Sequence, residues 1–468
     1  MDICVKQNSK FKLFLQEFKN FIYSGAYVAI VALCATFSYV SGLNYSFLLL
    51  FVLTGSLILV SQRDLTPLFP LLFFISFIFS STAIFDNYFS LFLFLPAVVS
   101  LIIHFIKFPI KKFKVGKLLI PLVLILVSYL LGGVASGNYL TFFQTAPKEL
   151  MGKYLAIVLA LGVGILAEYL VLSQYVDLAT TPKTFCIKKY LSYILVCLGL
   201  AIGVMVAYEK FIVQTTSVYM GWGNVNLAGY VLLLALPCAW FLMIKSQKVI
   251  PSIFLIALLL VSVYITNSDG ALGVSIMMSL PLAVYTYTKL SPKKKGLFLN
   301  VILPLLLAIC LVIIAIIIFD YDLFIYLQNK LLSDTGRLEI YEQAILDFKK
   351  KPLFGLGVFY PIVNQPLNQF NYHSSILHTL ATTGILGLCC WLYYFIARLK
   401  ITTKRNTPFN FCAMVSFVSY QIYALIDTGE FVMTCILVIG LLLIVEKANE
   451  KESELPLLSN ANNGVIYK

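Results

Sequence analysis

Two side chains in the last third of the chain have the chemistry to hold a phosphate and to move a proton. Arg337 carries a planar guanidinium that can grip a phosphate through two parallel hydrogen bonds; capping its loop, or pairing with Asp334 or Glu339, would use it equally well. His373 stands in Asn371-Tyr372-His373-Ser374 at the entry to an apolar run. An imidazole titrates near neutral pH, so it can take a proton from a hydroxyl or give one to a phosphate oxygen. The plain alternative is a helix-entry residue satisfied locally. His378, five residues on, points well round the helix from His373 and reads as a packed core histidine, and His104 is given no role. Lys349, Lys350 and Lys351 can attract phosphates or anionic headgroups, or simply complement a helix dipole. Asp269 and the turn Asp427-Thr428-Gly429-Glu430 are carboxylates that can accept from ligand hydroxyls or cap turns.

The elements that hold these residues are set by composition. Of 468 residues, 60% are apolar and 12% charged, with a mean hydropathy of +0.92. A soluble domain carries about 25% charged residues, so a soluble enzyme, a coiled coil and a disordered chain are all excluded. Fourteen apolar stretches approach the ~20 residues that span a bilayer. They lie near 21–41, 45–61, 66–83, 88–106, 118–135, 151–172, 190–208, 225–244, 249–265, 271–288, 297–319, 374–397, 409–427 and 431–445. Pro67, Pro70 and Pro96 interrupt some of them, so about 12–14 transmembrane helices are expected in an all-α polytopic membrane protein with one long extracytoplasmic loop near its carboxyl end.

Lys and Arg collect on the cytoplasmic side of short loops. With both termini cytoplasmic, the inner segments hold 26 of the 34 basic residues, and the outer segments hold eight beside twelve carboxylates. The net charge of +13 is therefore a topology signal, and no nucleic-acid partner is expected. The reading divides the chain into a basic cytoplasmic amino terminus (1–20), a bundle of about eleven spans (21–319), an extracytoplasmic loop (320–373), three further spans (374–446) and a cytoplasmic tail (447–468). Most of the ten cysteines fall inside or at the ends of apolar runs, which predicts small buried hydrophobes and neither disulfides nor a metal cluster. Gly132, Gly133, Gly162 and Gly164 read as helix-packing glycines.

Within 320–373, Ser333-Asp334-Thr335-Gly336 offers cap-forming side chains ahead of a periodic stretch. Leu338, Tyr341, Ile345 and Phe348 recur at helical spacing, with Glu339, Glu342 and Asp347 opposite, which predicts an amphipathic helix on the membrane or the top of the bundle. Lys349-Lys350-Lys351-Pro352 ends it. Leu353-Phe354-Gly355-Leu356-Gly357 is a glycine-broken apolar turn with the composition to dip back towards the bilayer.

This region resembles the signature of the O-antigen ligase and polymerase family, membrane glycosyltransferases acting on undecaprenyl-pyrophosphate-linked glycans. The matching residues are Arg337, Tyr341, Ala344, Lys351-Pro352-Leu353-Phe354-Gly355-Leu356-Gly357, His373-Ser374, Leu377 and Thr383-Gly384-Ile385-Leu386-Gly387, in order over 336–387. Gly221-Trp222-Gly223-Asn224-Val225-Asn226-Leu227-Ala228 resembles an earlier asparagine-bearing block of that family. Where the family usually has Ser-Arg-Gly, this chain has Ser268-Asp269-Gly270, so a basic pyrophosphate contact is missing and Lys210 is the candidate to replace it; a solvated pair with Glu209 is its plain reading.

The resemblance implies catalysis by His373 and Arg337, with Lys210, Asn224, Asn226, Asp269 and Lys351 in substrate binding and no metal or other cofactor. It also implies a multi-pass protein of the bacterial cytoplasmic membrane working on its outer face. The donor would be an undecaprenyl-pyrophosphate-linked glycan and the acceptor a glycan, lipid or wall polymer, with membrane lipids and other polysaccharide-assembly proteins as partners. Ligase and polymerase share this signature. The rival is a flippase or transporter for lipid-linked oligosaccharides, for which fourteen spans suffice; against it, Glu168 is essentially the one ionisable group within the spans, whereas ion-coupled transporters keep such groups at the midplane.

Overall fold

The computed structural model describes residues 16–81, 92–138, 144, 164–215, 226–319, 337–358, 360, 372–427 and 435–463. Among them the regular elements are helices, and no strand occurs. The first six are α1 (Gln16–Ile22), α2 (Gly25–Ser41), α3 (Asn44–Ser61), α4 (Leu68–Ser81), α5 (Leu95–Lys107) and α6 (Leu119–Ser136). Then come α7 (Ile165–Tyr175), α8 (Ile187–Ala207) with a π-helical turn at Tyr208–Val213, α9 (Asn226–Ser246), α10 (Val249–Ile265), α11 (Asp269–Lys289) and α12 (Pro292–Phe319). The last four are α13 (Arg337–Lys350), α14 (Ser375–Thr403), α15 (Pro408–Tyr423) and α16 (Cys435–Asn463).

A described helix overlaps each of the fourteen apolar stretches, while 151–163 of the sixth and 431–434 of the last lie outside the described residues. Among the described residues six helices are long and apolar enough to cross a bilayer, seven if α1 and α2, bent by 68°, form one broken span. Their outward sides stay apolar, as at Leu33, Val134 and Leu280. A helix with unwetted sides keeps every backbone group bonded only within a lipid or protein surround. This is an all-α polytopic membrane protein.

The helix α9 is the hub. It is enclosed by α8, α10, α11 and α15, and 89% of its apolar window is buried. Bonds between helices occur at both ends of the bundle. At the end bearing the lysine collars, His104 Nδ1 lies 2.8 Å from the Leu59 carbonyl, Tyr169 donates to Glu446 at 2.9 Å, and Tyr190 donates to the Ile22 carbonyl at 2.8 Å. At the other end Ser268 donates to Asn226 at 3.1 Å, and the Ser375 amide donates to the Ala424 carbonyl at 2.8 Å.

The lysine-rich end is locked by Asp64, 3% exposed in the α3–α4 turn. Its carboxylate accepts from the Tyr23 hydroxyl at 2.5 Å, the Thr66 hydroxyl at 2.8 Å and the Asp177 amide at 2.9 Å. Burial outweighs these donors and lifts the carboxyl to about 6, above the usual carboxylate range. A carboxyl whose folded-state pKa lies above its unfolded value adds stability at low pH and loses it as pH rises through the folded pKa. The full chain in detergent is therefore expected to melt higher at pH 5 than at pH 7.5, by about 1 kcal/mol from this group, and Asp64→Asn should flatten that dependence. Equal pH slopes for both proteins would remove Asp64 as the cause.

The helix α14 is broken in its middle. Gly384 has φ 66° and ψ −162°, a conformation that residues with a Cβ avoid. The break frees backbone groups, and the turn 352–357 takes four of them. Ile385 and Leu386 amides donate to the Pro352 and Leu353 carbonyls at 2.9 and 3.3 Å, while Leu356 and Gly357 amides donate to the Ala381 and Thr382 carbonyls, both at 2.8 Å. Ala381 lies six residues into α14, so the turn enters the bundle by about 9 Å. That is the dip expected of the glycine-broken turn, and it explains why an interruption is tolerated at this depth.

Three glycines let these backbones meet. A Cβ on Gly355 would lie 2.3 Å from the Thr382 carbonyl carbon, one on Gly384 2.5 Å from the Leu353 carbonyl, and one on Gly132 of α6 2.5 Å from the Thr382 oxygen and 2.7 Å from the Phe354 oxygen. Ser136 and Asn138, just beyond, both donate to the Leu356 carbonyl. A Cβ on Gly273 of α11 meets nothing within 4 Å. Gly132→Ala is expected to cost about 1–3 kcal/mol through overpacking, whereas Gly273→Ala should be neutral or stabilise by up to about 1 kcal/mol. Melting curves of the two variants, read side by side, test the role given to Gly132.

Candidate active site

The helix α13 runs over the expected stretch but presents another face. Its buried residues are Ile340, Ala344 and Asp347, while Leu338, Ile345 and Leu346 are 60%, 45% and 53% exposed. The sequence reading put Asp347 on the polar side; the structure buries it, because three donors satisfy its carboxylate. Gln343 donates at 2.9 Å, Lys350 at 2.6 Å and the Tyr372 hydroxyl at 2.8 Å. The Asp347 hydrogen bond raises the Lys350 pKa, and burial followed by the Asp347 charge holds the Tyr372 phenol well above its usual range. Asp347 thus anchors the residue preceding His373.

His373 has φ 48°, in the left-handed region where few residues with a side chain are found. Its carbonyl accepts from the Tyr341 hydroxyl at 3.1 Å, and its Nδ1 lies 3.4 Å from Asp427 Oδ1. Nδ1 is buried, yet the side chain as a whole is 24% exposed, so the part facing outward is elsewhere on the ring. Strain of this kind persists only where the surroundings over-determine it, and it clusters at functional sites.

Around this pair the ends of five helices converge. The Ser268 hydroxyl, before α11, bonds to Asn226 at the start of α9 and to the Tyr423 hydroxyl at the end of α15. The Tyr423 ring packs tilted against Tyr230 with centroids 4.4 Å apart, and Tyr230 lies 4.6 Å from Tyr420. Gly270 packs directly on Tyr423 and Ile426, with no room for a Cβ. The charges of Asp427, Arg337 and Asp269 all act on the Tyr423 hydroxyl. One phenol therefore has a guanidinium and two carboxylates about it, and one of those carboxylates touches the histidine.

Of the residues singled out in the sequence, the fold brings together His373, Arg337, Asn226 and Asp269. Lys210 belongs to the π-helical turn after α8, where its neighbour Glu209 accepts from Tyr39 of α2, and no described contact ties it to His373 or Arg337. Lys351 follows the far end of α13, about 20 Å along the helix from Arg337, and its carbonyl accepts from Gly355. Asn224 and residues 320–336 lie outside the described residues. His378 is 2% exposed in α14, as a packed histidine should be. Tyr423 was missed in the sequence, since a tyrosine in an apolar run is indistinguishable from core; Asp427 had been noted without a role.

Residues 254–392 match the protein family described as O-antigen ligase. The similarity to that family covers under a third of the chain. No curated protein matches the chain. The matched domain runs from α10 into α14, so it includes Ser268, Asp269, Gly270, Arg337, the turn 352–357, His373 and Gly384. Asn226, Tyr423 and Asp427 come from outside it and complete the cluster. The domain ties the protein to O-antigen ligase-type glycan transfer in surface polysaccharide biosynthesis.

Proposed function

We propose that this protein transfers or polymerises a glycan carried on undecaprenyl pyrophosphate, at the outer face of a bacterial cytoplasmic membrane. The observation that carries the reading is the His373–Asp427 pair at 3.4 Å, set among the same helix ends as Arg337. In this reading the acceptor hydroxyl attacks the anomeric carbon of the donor sugar. The bond from that carbon to the pyrophosphate oxygen breaks, and the lipid pyrophosphate leaves with the electron pair. Asp427 orients the His373 ring through Nδ1, and the imidazole takes the hydroxyl proton through its other nitrogen. Arg337 meets the charge that grows on the leaving phosphate, where preorganised donors contribute most. Asn226, Ser268 and Asp269 offer polar groups to sugar hydroxyls beside Tyr423. The missing arginine of the Ser-Asp-Gly turn leaves Arg337 as the cation of the cluster.

A complementation assay in the source organism or a close host tests this. Strains lacking the gene should display shortened or unattached surface glycan and accumulate lipid-linked units on the outer leaflet. The wild-type gene should restore the glycan, and His373→Ala, at matched membrane levels, should not. Accumulation on the inner leaflet instead would make the protein a flippase and end the catalytic reading.

A further inference from the structure

The end of the bundle opposite His373 holds a cavity of about 460 Å³, a size typical of ligand sites. It opens between the starts of α8 and α15, the end of α9 and one side of α16. Phe241, Ile244 and Phe409 give it an apolar wall. Lys188, Lys245 and Lys451 stand around it, and no carboxylate is among its described lining residues. Lys451 is steered by a 3.1 Å hydrogen bond to the Leu178 carbonyl, and the Lys188 ammonium lies 5.8 Å from the centre of the Phe409 ring. Glu450, next along α16, is turned to Lys447 at 3.4 Å.

Two helices also begin here. α8 starts after Cys186, which provides no side-chain cap, and α15 starts at Pro408, with the hydroxyl of its N-cap Thr407 accepting from the Asn410 amide at 3.2 Å. Their first-turn amides add positive potential to that of the lysines. Cations that rim an apolar slot suit a ligand with an anion at one end and hydrocarbon at the other. This is also the end at which the basic collars lie, and anionic lipids attract such collars on the cytoplasmic leaflet.

We infer that this cavity binds the phosphate headgroup of an anionic phospholipid of the inner leaflet, its chains lying along Phe241, Ile244 and Phe409. The inference does not depend on the glycan-transfer reading, since none of these residues takes part in it.

Native mass spectrometry of the purified full chain tests it, with dioleoyl phosphatidylglycerol, dioleoyl phosphatidylcholine and inorganic phosphate as probes. One phosphatidylglycerol should be retained, about a hundredfold more tightly than phosphatidylcholine, and millimolar phosphate should not displace it. Lys245→Gln and Lys451→Gln should each weaken retention about fivefold, and the triple change with Lys188→Gln about a hundredfold. Ile244→Trp, which fills the slot with the charges left in place, should abolish retention and covers the case of a triple variant that does not fold. Equal retention of the two lipids, undiminished binding in Ile244→Trp, or displacement by phosphate alone would overturn the inference, the last by showing the ligand to be a soluble phosphate.

Discussion

Gly384→Ala is expected to destabilise the full chain by about 3–5 kcal/mol, more than alanine at any other helical position discussed above. Two costs add. At φ 66° and ψ −162° a residue bearing a Cβ pays about 1–3 kcal/mol in backbone strain. The new methyl would also lie 2.5 Å from the Leu353 carbonyl and 2.7 Å from the Phe354 amide nitrogen. These are backbone atoms, pinned by the four hydrogen bonds between the turn and the broken helix, so they cannot swing aside. Forcing them apart costs a further ~1–3 kcal/mol and exposes carbonyls at a depth where water is absent. Gly273→Ala is the matched control, with open space about its Cβ position. Melting curves that leave Gly384→Ala within about 1 kcal/mol of wild type would show that the break in α14 is not a fixed feature.

His373→Gly is expected to separate stability from activity. The histidine occupies a left-handed conformation that glycine adopts without strain, so the folded chain should be as stable as wild type or more so, by up to about 1 kcal/mol. Loss of a general base lowers a rate by about 100- to 10,000-fold, so transfer should fall by that much. Asp427→Asn should cause a smaller loss, since it leaves the imidazole in place and removes only the group that orients it. A His373→Gly protein that retains full activity would assign the strain at this residue to folding alone.

The helices were legible because an apolar run long enough to cross a bilayer has one stable conformation in lipid. The turn 352–357 was legible too, since glycines among apolar residues suit close backbone approach. The break at Gly384 was not, although the glycine was in plain view. It arises because a segment nearly thirty residues upstream supplies replacement hydrogen bonds, and periodicity within α14 carries no trace of that. The buried face of α13 was misread for a similar reason. Asp347 is tolerated inside only because Gln343, Lys350 and Tyr372 surround its carboxylate, and Tyr372 comes from beyond the helix.

His373 and Arg337 stood out by residue type and by resemblance. Tyr423 could not, because its value lies in the three charges that converge on it from α11, α13 and the end of α15. Lys210 and Lys351 were chosen for charge alone, and charge without proximity did not bring them to the cluster.

The most direct test of the glycan-transfer account uses purified full-length protein in liposomes, supplied with lipid-pyrophosphate-linked glycan units and an acceptor, and follows donor loss and product length together. The account predicts transfer by wild type, and a loss of about 100-fold or more in both His373→Ala and Arg337→Ala with donor binding weakened only in the latter. Unchanged transfer in both variants would contradict it.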